Sequence, residues 1–422
     1  MKICQGPQGI LPDGPQSARL FRVCWAAYYV AYLGRLNYAA CLVAIVADRG
    51  WGKGQAGLIG TGFFAAYGIS QLISGFVGDR VSPKYMVAVG LGFSGILNLI
   101  FPLMTHPVPA VCIWCINGVF QSMLWSPLVR LCSEWLPPDR RLSACINMNS
   151  TSPLWTLSVY ALSAIFVFLH HWSLMFYVGG IVLVGMTILW LYILNQLEKG
   201  LLPVPQENAS PYPEQNSSRP ILRIVFANAL PLCCFALILQ GMLKDGITTW
   251  VPSFMEEQFH FPAAAAILCT MIVPLINLSG IFIASALNRR CFHNELKGAF
   301  VFFLAGASAL ALLSVLFHSS APFSLFLLAF ITTSMTAVNT MLVSMLPPYY
   351  VHFGLCSSVS GILNAAANVG CAFSMYGNGA LVDLLGWGSV IRVWCILAVI
   401  GAALCFPAIK KWKRFRSSFI NR

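Results

Sequence analysis

Two basic residues lie inside long apolar stretches of this sequence. Arg35 falls within the apolar run 21–47, and Lys244 falls within the run 224–255. A charged side chain at the centre of a bilayer costs about 2.5–3.5 kcal/mol on insertion scales, so such residues usually line a cavity or pair with another group. Both side chains bind phosphate and carboxylate oxygens, and a guanidinium binds two oxygens at a time. Arg35 and Lys244 are therefore the first candidates for binding an anion.

Several uncharged polar residues lie in the same kind of apolar run. They are expected to face the protein interior, although hydrogen bonding between helices explains any one of them about as well as contact with a substrate does. The further candidates for substrate binding are Asn37, Tyr38, Tyr67, Gln71, Gln121, Asn147, Gln240 and Asn364. Asp245 directly follows Lys244 and is the candidate for proton coupling, because an acid inside a membrane can titrate during transport.

The elements that must position these residues are transmembrane helices. Of the 422 residues, 58% are hydrophobic and only 9% are charged, whereas about 25% are charged in soluble proteins. Apolar stretches of the ~20 residues that a helix needs to cross a bilayer recur along the chain. The twelve predicted spans are 21–47, 56–77, 85–104, 109–131, 143–169, 172–195, 224–255, 262–287, 298–317, 321–346, 357–382 and 388–409. The predicted fold class is thus an all-α membrane protein.

The basic residues are unevenly distributed between the two sides of the predicted bundle. Of the 25 lysines and arginines, twenty fall in the termini, the loops or the span ends on the same side, three fall on the opposite side and two, Arg35 and Lys244, lie well inside spans. By the positive-inside rule, both termini are expected in the cytoplasm of a prokaryotic cell, with the chain in its inner (plasma) membrane. This placement accounts for the net charge of +12 without a nucleic acid partner. The expected partners are the lipid bilayer and a small solute, and a monomer suffices for the fold.

The chain also contains an internal repeat. A linker at 197–220, rich in proline and polar residues, separates two predicted six-helix bundles. The predicted domains are a cytoplasmic N-terminal tail at 1–20, the bundles at 21–196 and 221–409, and a basic cytoplasmic tail at 410–422. Arg35 and Lys244 are 209 positions apart, as are Asp79 and Asn288. A parallel repeat of this kind places a substrate site near the middle of the membrane.

The loop between the second and third spans carries a motif, Gly75-Phe76-Val77-Gly78-Asp79-Arg80-Val81-Ser82-Pro83-Lys84. It resembles the G-x-x-x-D-R-x-G-x-[RK] loop of the major facilitator superfamily, with Ser82 at the second glycine, and so implies twelve helices in two pseudo-symmetric bundles. Asp79 is expected either to accept hydrogen bonds from a neighbouring helix N-terminus or to pair with a basic residue such as Arg130. Gly75, Asp79, Arg80 and Arg130 are therefore predicted to form a latch that holds one conformational state.

Other stretches resemble the organophosphate:phosphate antiporters, which include the glycerol phosphate and hexose phosphate carriers. These stretches are Ala26-Ala27-Tyr28-Tyr29, Arg35-Leu36-Asn37-Tyr38-Ala39, Ala66-Tyr67-Gly68-Ile69-Ser70, Gln121 to Arg130 and Lys244-Asp245-Gly246-Ile247. In that family, arginines on the first and seventh helices bind the phosphate. The resemblance places Arg35 at the first position and Lys244 at the second. Gln71 and Ser150 stand where the glycerol phosphate carrier has a lysine and a histidine.

The net charge of the predicted site is compatible with two kinds of solute, depending on where Asp245 points. If Asp245 reaches the cavity together with Arg35 and Lys244, the site carries +1, which suits a monoanion or a proton-coupled cycle. Adjacent residues on a helix point about 100° apart, so Asp245 need not neutralise Lys244. If Asp245 turns away from the cavity, the site carries +2 and suits a phosphate.

The sequence therefore predicts a secondary active transporter that works by alternating access. Its expected solute is a small organic anion, a phosphorylated one in exchange for inorganic phosphate. One alternative is a proton-coupled symporter for a sugar acid or another carboxylate, and another is a sensor that binds a sugar phosphate and signals to a membrane kinase. No nucleophile motif, nucleotide-binding loop or metal-ligand spacing occurs in the sequence, so we expect neither an enzyme nor a metal or other cofactor.

Overall fold

Helices make up nearly all of the regular structure. A computed structural model describes residues 9–51, 53–202, 229–261, 263–316 and 320–420. The helices before residue 203 are α1 (Pro15–Ala31), α2 (Leu33–Arg49), α3 (Lys53–Gly78), α4 (Pro83–Ile100), α5 (Pro107–Ser122), α6 (Trp125–Trp135), α7 (Pro138–Met148), α8 (Thr151–Phe168) and α9 (Ser173–Glu198). Those after residue 228 are α10 (Leu230–Phe259), α11 (Ala263–Leu287), α12 (Glu295–Leu316), α13 (Ala321–Asn339) and α14 (Cys356–Ile420). The backbone of α14 is not helical at Gly386, where φ is 71°.

Ten helical segments within the described ranges are long and apolar enough to cross a membrane. They correspond to ten of the twelve predicted spans. The first predicted span, 21–47, is instead divided into two helices of 17 residues each. The eleventh, 357–382, forms the first part of α14. The chain is therefore an all-α, multi-pass membrane protein, and this prediction is confirmed.

The first predicted span is interrupted at Tyr32, between α1 and α2. In a continuous helix the amide of Arg35 would bond the carbonyl of Ala31, but it bonds the carbonyl of Tyr32 at 3.1 Å. The carbonyl of Ala31 accepts instead from Gln121 Nε2 on α5, at 3.0 Å. Because hydrocarbon offers no water to a free carbonyl, this side chain stabilises the interruption. The sequence alone predicted an unbroken run here.

The chain divides into two compact units. The first comprises Met1–Asn208 and Pro347–Ala365, and the second comprises Ala209–Leu346 and Ala366–Arg422. Most of the predicted linker, 197–220, lies outside the described residues, as do the first residues of the seventh predicted span. The domain boundaries derived from the sequence therefore stay a prediction.

Each unit contains the same type of bond between its first and sixth spans. In the first unit, Trp172 Nε1 donates to Asp48 Oδ2 at 3.2 Å. In the second unit, Trp387 Nε1 donates to Glu257 Oε2 at 2.8 Å. Asp48 and Glu257 are 209 positions apart, which is the spacing of the predicted repeat. The repeat that is visible in the sequence thus recurs in the contacts of the side chains.

A second repeated contact joins the start of the third span to the end of the sixth. In the first unit, Lys84 Nζ lies 2.5 Å from Glu198 Oε2. In the second unit, Glu295 Oε1 lies 3.6 Å from Arg416 Nη1. Lys84 and Glu295 are both buried, so the two units place a buried charge at the start of equivalent helices but with opposite sign.

The predicted basic tail, 410–422, begins as the last turns of α14. Trp412 is buried there, and its Nε1 donates to Glu295 Oε2 at 2.7 Å. Lys410, Lys411 and Lys413 are exposed on the surrounding surface. This basic segment is thus packed, at Trp412, against the start of α12.

Candidate substrate site

Arg35 lies near the start of α2, just after the interruption at Tyr32, and is half-buried. Its guanidinium carbon is 4.2 Å from the centroid of the Tyr67 ring, 5.6 Å from that of Tyr32 and 5.9 Å from that of Phe64. Contacts of this kind attract a cation to the ring face. Among the described residues, no carboxylate oxygen lies within 4.0 Å of the guanidinium. Arg35 therefore keeps a net positive charge that an anionic ligand can neutralise.

Tyr67 and Gln71, two of the predicted site residues, lie one turn apart on α3. Gln71 Nε2 donates to the Tyr67 hydroxyl at 3.2 Å, and both side chains are buried. The amide thus fixes the phenol whose ring contacts Arg35. These two residues belong to the surroundings of Arg35, and they position its guanidinium from the side of α3.

An aromatic face of α1 leads toward Arg35. It consists of residues spaced three and four apart, Trp25, Tyr28, Tyr29 and Tyr32. Tyr29 stacks on Trp25 with ring centroids 5.0 Å apart and contacts Trp155 at 3.8 Å. Tyr28 contacts Trp125 at 4.9 Å. Trp25 Nε1 also donates to Ser150 Oγ at 3.3 Å, so Ser150 contributes a neutral acceptor where the resembling carrier has a histidine.

Three other predicted site residues of the first unit take part in contacts between helices. Asn37 Nδ2 donates to Asn98 Oδ1 at 2.7 Å, and the Tyr38 hydroxyl donates to the carbonyl of Ala56 at 2.6 Å. Gln121 bonds Ser94 Oγ at 2.7 Å in addition to the carbonyl at the interruption. Asn37, Tyr38 and Gln121 are all buried. The structure thus gives each of them a structural partner, and substrate contact by these residues stays a prediction.

Lys244 and Asp245 lie in the middle of α10. Lys244 Nζ is 3.2 Å from Asp245 Oδ1, and both side chains are partly exposed, at 30% and 40%. The flexible lysine side chain spans the angle that separates adjacent helical positions, so the two charges meet. In this arrangement Asp245 offsets the charge of Lys244 locally. The net charge of the predicted site stays a prediction.

The three remaining predicted site residues lie in different surroundings. Gln240 Nε2 donates to the carbonyl of Met335 at 3.1 Å, and Gln240 Oε1 accepts from Asn339 at 3.3 Å. Asn364 is half-buried on the first part of α14. Asn147 lines a cavity between α1 and α7.

Asp79 caps the N-terminus of α14. Its two carboxylate oxygens accept hydrogen bonds from the amides of Ser357 and Ser358, each at 2.8 Å. Burial raises the pKa of Asp79 to about 6, and the hydrogen bonds from Ser358 and Ser357 only partly oppose this shift. The motif therefore forms the first of its two predicted contacts, the one with a helix N-terminus. Gly75 allows the close packing, since a Cβ there would lie 3.1 Å from Gly361 Cα.

Arg130 holds the backbone of the same loop. It donates to the carbonyl of Gly78, and at 3.1 Å to that of Val81. Its Nε lies 2.7 Å from Glu134 Oε1, one turn further along α6. Glu134 was not among the residues predicted from the sequence, although its spacing of four residues from Arg130 was the available signal. Arg80 is exposed.

A match to a protein-family model assigns the chain to a superfamily. Residues 24–356 match the model of the Major Facilitator Superfamily. The chain belongs to this superfamily. The fold, the ten apolar spans and the glycine-aspartate loop at Asp79 agree with that membership, and the sequence-based identification is confirmed.

Similar proteins narrow the comparison to carriers of phosphorylated solutes and a sensor. The "Probable hexose phosphate transport protein" of Chlamydia pneumoniae is 24% identical over 92% of this chain and 90% of its own length. The "Glycerol-3-phosphate transporter" of Bacillus subtilis is 24% identical over 93% of both chains. The "Membrane sensor protein UhpC" of Salmonella typhimurium is 23% identical over 91% of this chain and 89% of its own. These names match the predicted resemblance to the organophosphate:phosphate antiporters.

A solved structure agrees on the fold. The transporter FucP, in the outward conformation, superposes with a TM-score of 0.72 at 13% identity, over 94% of this chain and 99% of that protein. Identity this low supports the fold alone.

Proposed function

We propose that this protein exchanges a small phosphorylated organic solute for inorganic phosphate by alternating access, in a cell membrane with both termini in the cytoplasm. The observation that carries the proposal is Arg35. Its guanidinium lies within the first predicted span, contacts aromatic rings and has no carboxylate within 4.0 Å in the described part of the chain. A site for a phosphoryl group needs such a charge, and the fork of a guanidinium matches two phosphate oxygens.

The surroundings of Arg35 favour an anion over a neutral sugar. Aromatic faces stabilise the guanidinium in the unliganded protein, but they do not neutralise its charge. A phosphoryl group that enters gains charge-assisted hydrogen bonds, and each of these contributes about 1.5–3 kcal/mol. Lys244, the second predicted phosphate ligand, contributes less because Asp245 already offsets its charge.

Exchange in proteoliposomes tests the proposal. Vesicles are loaded with labelled phosphate, and its release is followed when glycerol phosphate or a hexose phosphate is added outside. We expect release that depends on the external organophosphate and falls to the level of protein-free vesicles in Arg35→Ala. Organophosphate-independent release, or an unchanged rate in Arg35→Ala, would refute the proposal.

A proton-coupled symporter for a carboxylate is the second candidate, and the contact between Lys244 and Asp245 favours it. Asp245→Asn separates the two candidates. In the exchanger, this substitution removes the charge that offsets Lys244, so the KM for phosphate should fall. In the symporter, the substitution should abolish carboxylate uptake driven by a pH gradient, and neither the wild-type protein nor Asp245→Asn should move phosphate.

A sensor is the third candidate, because one relative of nearly full length is named a membrane sensor protein. A sensor would bind the organophosphate, and this binding would require Arg35, but purified protein in vesicles would show no flux. Measuring binding and flux on the same preparation distinguishes a sensor from an exchanger.

A further inference from the structure

The first unit contains an open, partly apolar cavity at its surface, and the two arginines that line it are exposed. It lies between α1 and α7 and has a volume of about 340 Å³, which is at the small end of the range of about 300–1,000 Å³ for ligand pockets. Its polar lining consists of Ser17, Arg22, Arg140, Ser143 and Asn147. Arg22 is thirteen positions before Arg35, and none of the aromatic residues that contact Arg35 lines the cavity. The cavity is thus separate from the surroundings of Arg35.

The cavity carries positive charge. Arg22 Nε donates to the carbonyl of Ala18 on its own helix at 3.2 Å. In the described ranges no carboxylate lies within 4.0 Å of the Arg22 guanidinium. Arg140 Nε lies 2.6 Å from Asp13 Oδ1, in a pair that is largely exposed to solvent. The lining therefore holds two guanidinium groups and only one of them has an acidic partner.

The remaining polar groups of the lining suit an oxyanion. Asn147 Nδ2 lies 3.5 Å from Ser143 Oγ, and both side chains can donate a hydrogen bond. Ser17 Oγ bonds the carbonyl of Pro12 at 2.8 Å. Guanidinium groups with hydroxyl and amide donors around one small cavity are the groups that bind tetrahedral oxyanions. No acidic side chain is among the residues that line the cavity.

We infer that this cavity is a second binding site for a phosphoryl group, centred on Arg22 with Arg140, Ser143 and Asn147. Its role rests on the proposed function: the site would hold the phosphoryl group of a solute at the end of the bundle that is predicted to face the cytoplasm. Asn147, which the sequence analysis grouped with Arg35, belongs to this second site.

Arg19 supplies a matched control. It lies on α1 three residues before Arg22 and is exposed, as Arg22 is, but it does not line the cavity. A basic residue that serves only the orientation of the chain would act equally at either position. A difference in phosphate binding between Arg19→Gln and Arg22→Gln therefore reflects the cavity and not the overall surface charge.

The test measures phosphate binding in protein that lacks Arg35. Purified Arg35→Ala protein in a neutral detergent is titrated with inorganic phosphate, with sodium chloride at equal ionic strength as reference, and its unfolding temperature is recorded. We expect stabilisation by phosphate. Adding Arg22→Gln should raise the phosphate concentration at half-effect about tenfold, which corresponds to one lost charge-assisted bond, and adding Arg19→Gln should leave it within about twofold. Arg22→Lys should give an intermediate value if Arg22→Gln does not fold.

Equal phosphate responses of the Arg19→Gln and Arg22→Gln proteins, or no response at all in Arg35→Ala, would overturn the inference. Repeating the titration in nanodiscs identifies the source of the phosphoryl group. If phosphatidylglycerol removes the Arg22-dependent response that neutral lipid leaves intact, the occupant is a lipid headgroup; if it does not, the occupant is free phosphate. Arg22-dependent binding without exchange by the wild-type protein would reject the proposed function while supporting this site.

Discussion

The two units place a cation at equivalent positions of the repeat but surround it differently. Arg35 in the first unit rests on the Tyr67 ring, with no carboxylate near it among the described residues. Lys244 in the second unit lies 3.2 Å from Asp245. Aromatic rings stabilise a cation without cancelling its charge, whereas a carboxylate cancels it. Under the proposed function we therefore expect Arg35 to contribute more of the charge that binds an anion than Lys244 does.

The structural ion pairs of the two units differ as well. Lys84 with Glu198 and Glu295 with Arg416 join equivalent helices with reversed sign. The contact between helices thus depends on complementary charges and not on which helix carries the acid. At the repeat positions of Arg35 and Lys244, by contrast, both units carry a positive charge.

The largest expected effect concerns the difference between Arg35 and Lys244. Arg35→Ala should lower phosphate exchange at least about a hundredfold, since it removes a bidentate pair of charge-assisted hydrogen bonds. Lys244→Ala should lower it about tenfold, because Asp245 already offsets that charge. Rates of exchange in proteoliposomes measure both. Equal losses of exchange rate in the two variants would show that the different surroundings of Arg35 and Lys244 do not affect transport.

The next effect concerns the reversed ion pairs. Glu198→Gln leaves the ammonium of Lys84 buried without its 2.5 Å partner, and should lower stability by about 2 kcal/mol, less than a fully buried pair because Glu198 is half exposed. Arg416→Gln should lower stability by less than about 1 kcal/mol, since the Glu295 carboxylate keeps its bond to Trp412. Unfolding temperatures in detergent show which substitution destabilises the protein more. A larger loss of stability in Arg416→Gln than in Glu198→Gln would contradict the prediction.

A third effect concerns the cap at Asp79, which the repeat replaces with Asn288 in the second unit. Its pKa of about 6 lies above the ~3.9 of an exposed aspartate. Between about pH 4 and pH 6, Asp79 in the capped arrangement therefore binds more protons than Asp79 in an arrangement with an exposed carboxylate. Protonation thus favours the capped arrangement as the pH falls from about 6 to 4, and this stabilisation is lost as the pH rises through about 6.

Hydrogen exchange at the amides of Ser357 and Ser358 measures this effect. Protection should be greatest below pH 6, after correction for intrinsic exchange, and Asp79→Asn should remove its pH dependence. Protection that is unchanged by pH in the wild-type protein would rule out titration of the cap.

The smallest expected effect compares two glycines of α3. In Gly75→Ala the new methyl would lie 3.1 Å from backbone atoms of Ser357 and Gly361, which cannot move aside easily, so thermal stability should fall. Gly68→Ala meets nothing within 4 Å and should stabilise the helix by up to about 1 kcal/mol. A stabilising Gly75→Ala would show that the packing at the cap is looser than described.

A candidate site could be predicted from the sequence because its residues break strong compositional rules. A charge inside an apolar run marks Arg35 and Lys244, and a glycine-aspartate motif marks Asp79. The interruption at Tyr32 could not be predicted, because local propensities allow a helix there and the stabilising side chain, Gln121, comes from another helix. The pair of Lys84 and Glu198 joins residues 114 positions apart, and sequence periodicity carries no information about such contacts.

The contact between Lys244 and Asp245 shows a further limit of the sequence. Helical periodicity fixes the directions in which the two Cα–Cβ bonds point, and it predicted separate faces. It does not fix the rotamers of a long side chain, and the lysine reaches its neighbour by bending along the helix. The polar residues Asn37, Tyr38 and Gln121 were correctly expected to face inward, but only the structure shows which helices they join.

The most direct test of the central claim is phosphate exchange by Arg35→Lys. This substitution keeps the positive charge and removes the guanidinium fork. If Arg35 holds the phosphoryl group with two hydrogen bonds at once, exchange should fall at least about tenfold and the KM for phosphate should rise, while unfolding in detergent stays close to that of the wild-type protein. Exchange at the wild-type rate with an unchanged KM would contradict the assignment of the fork to the phosphoryl group.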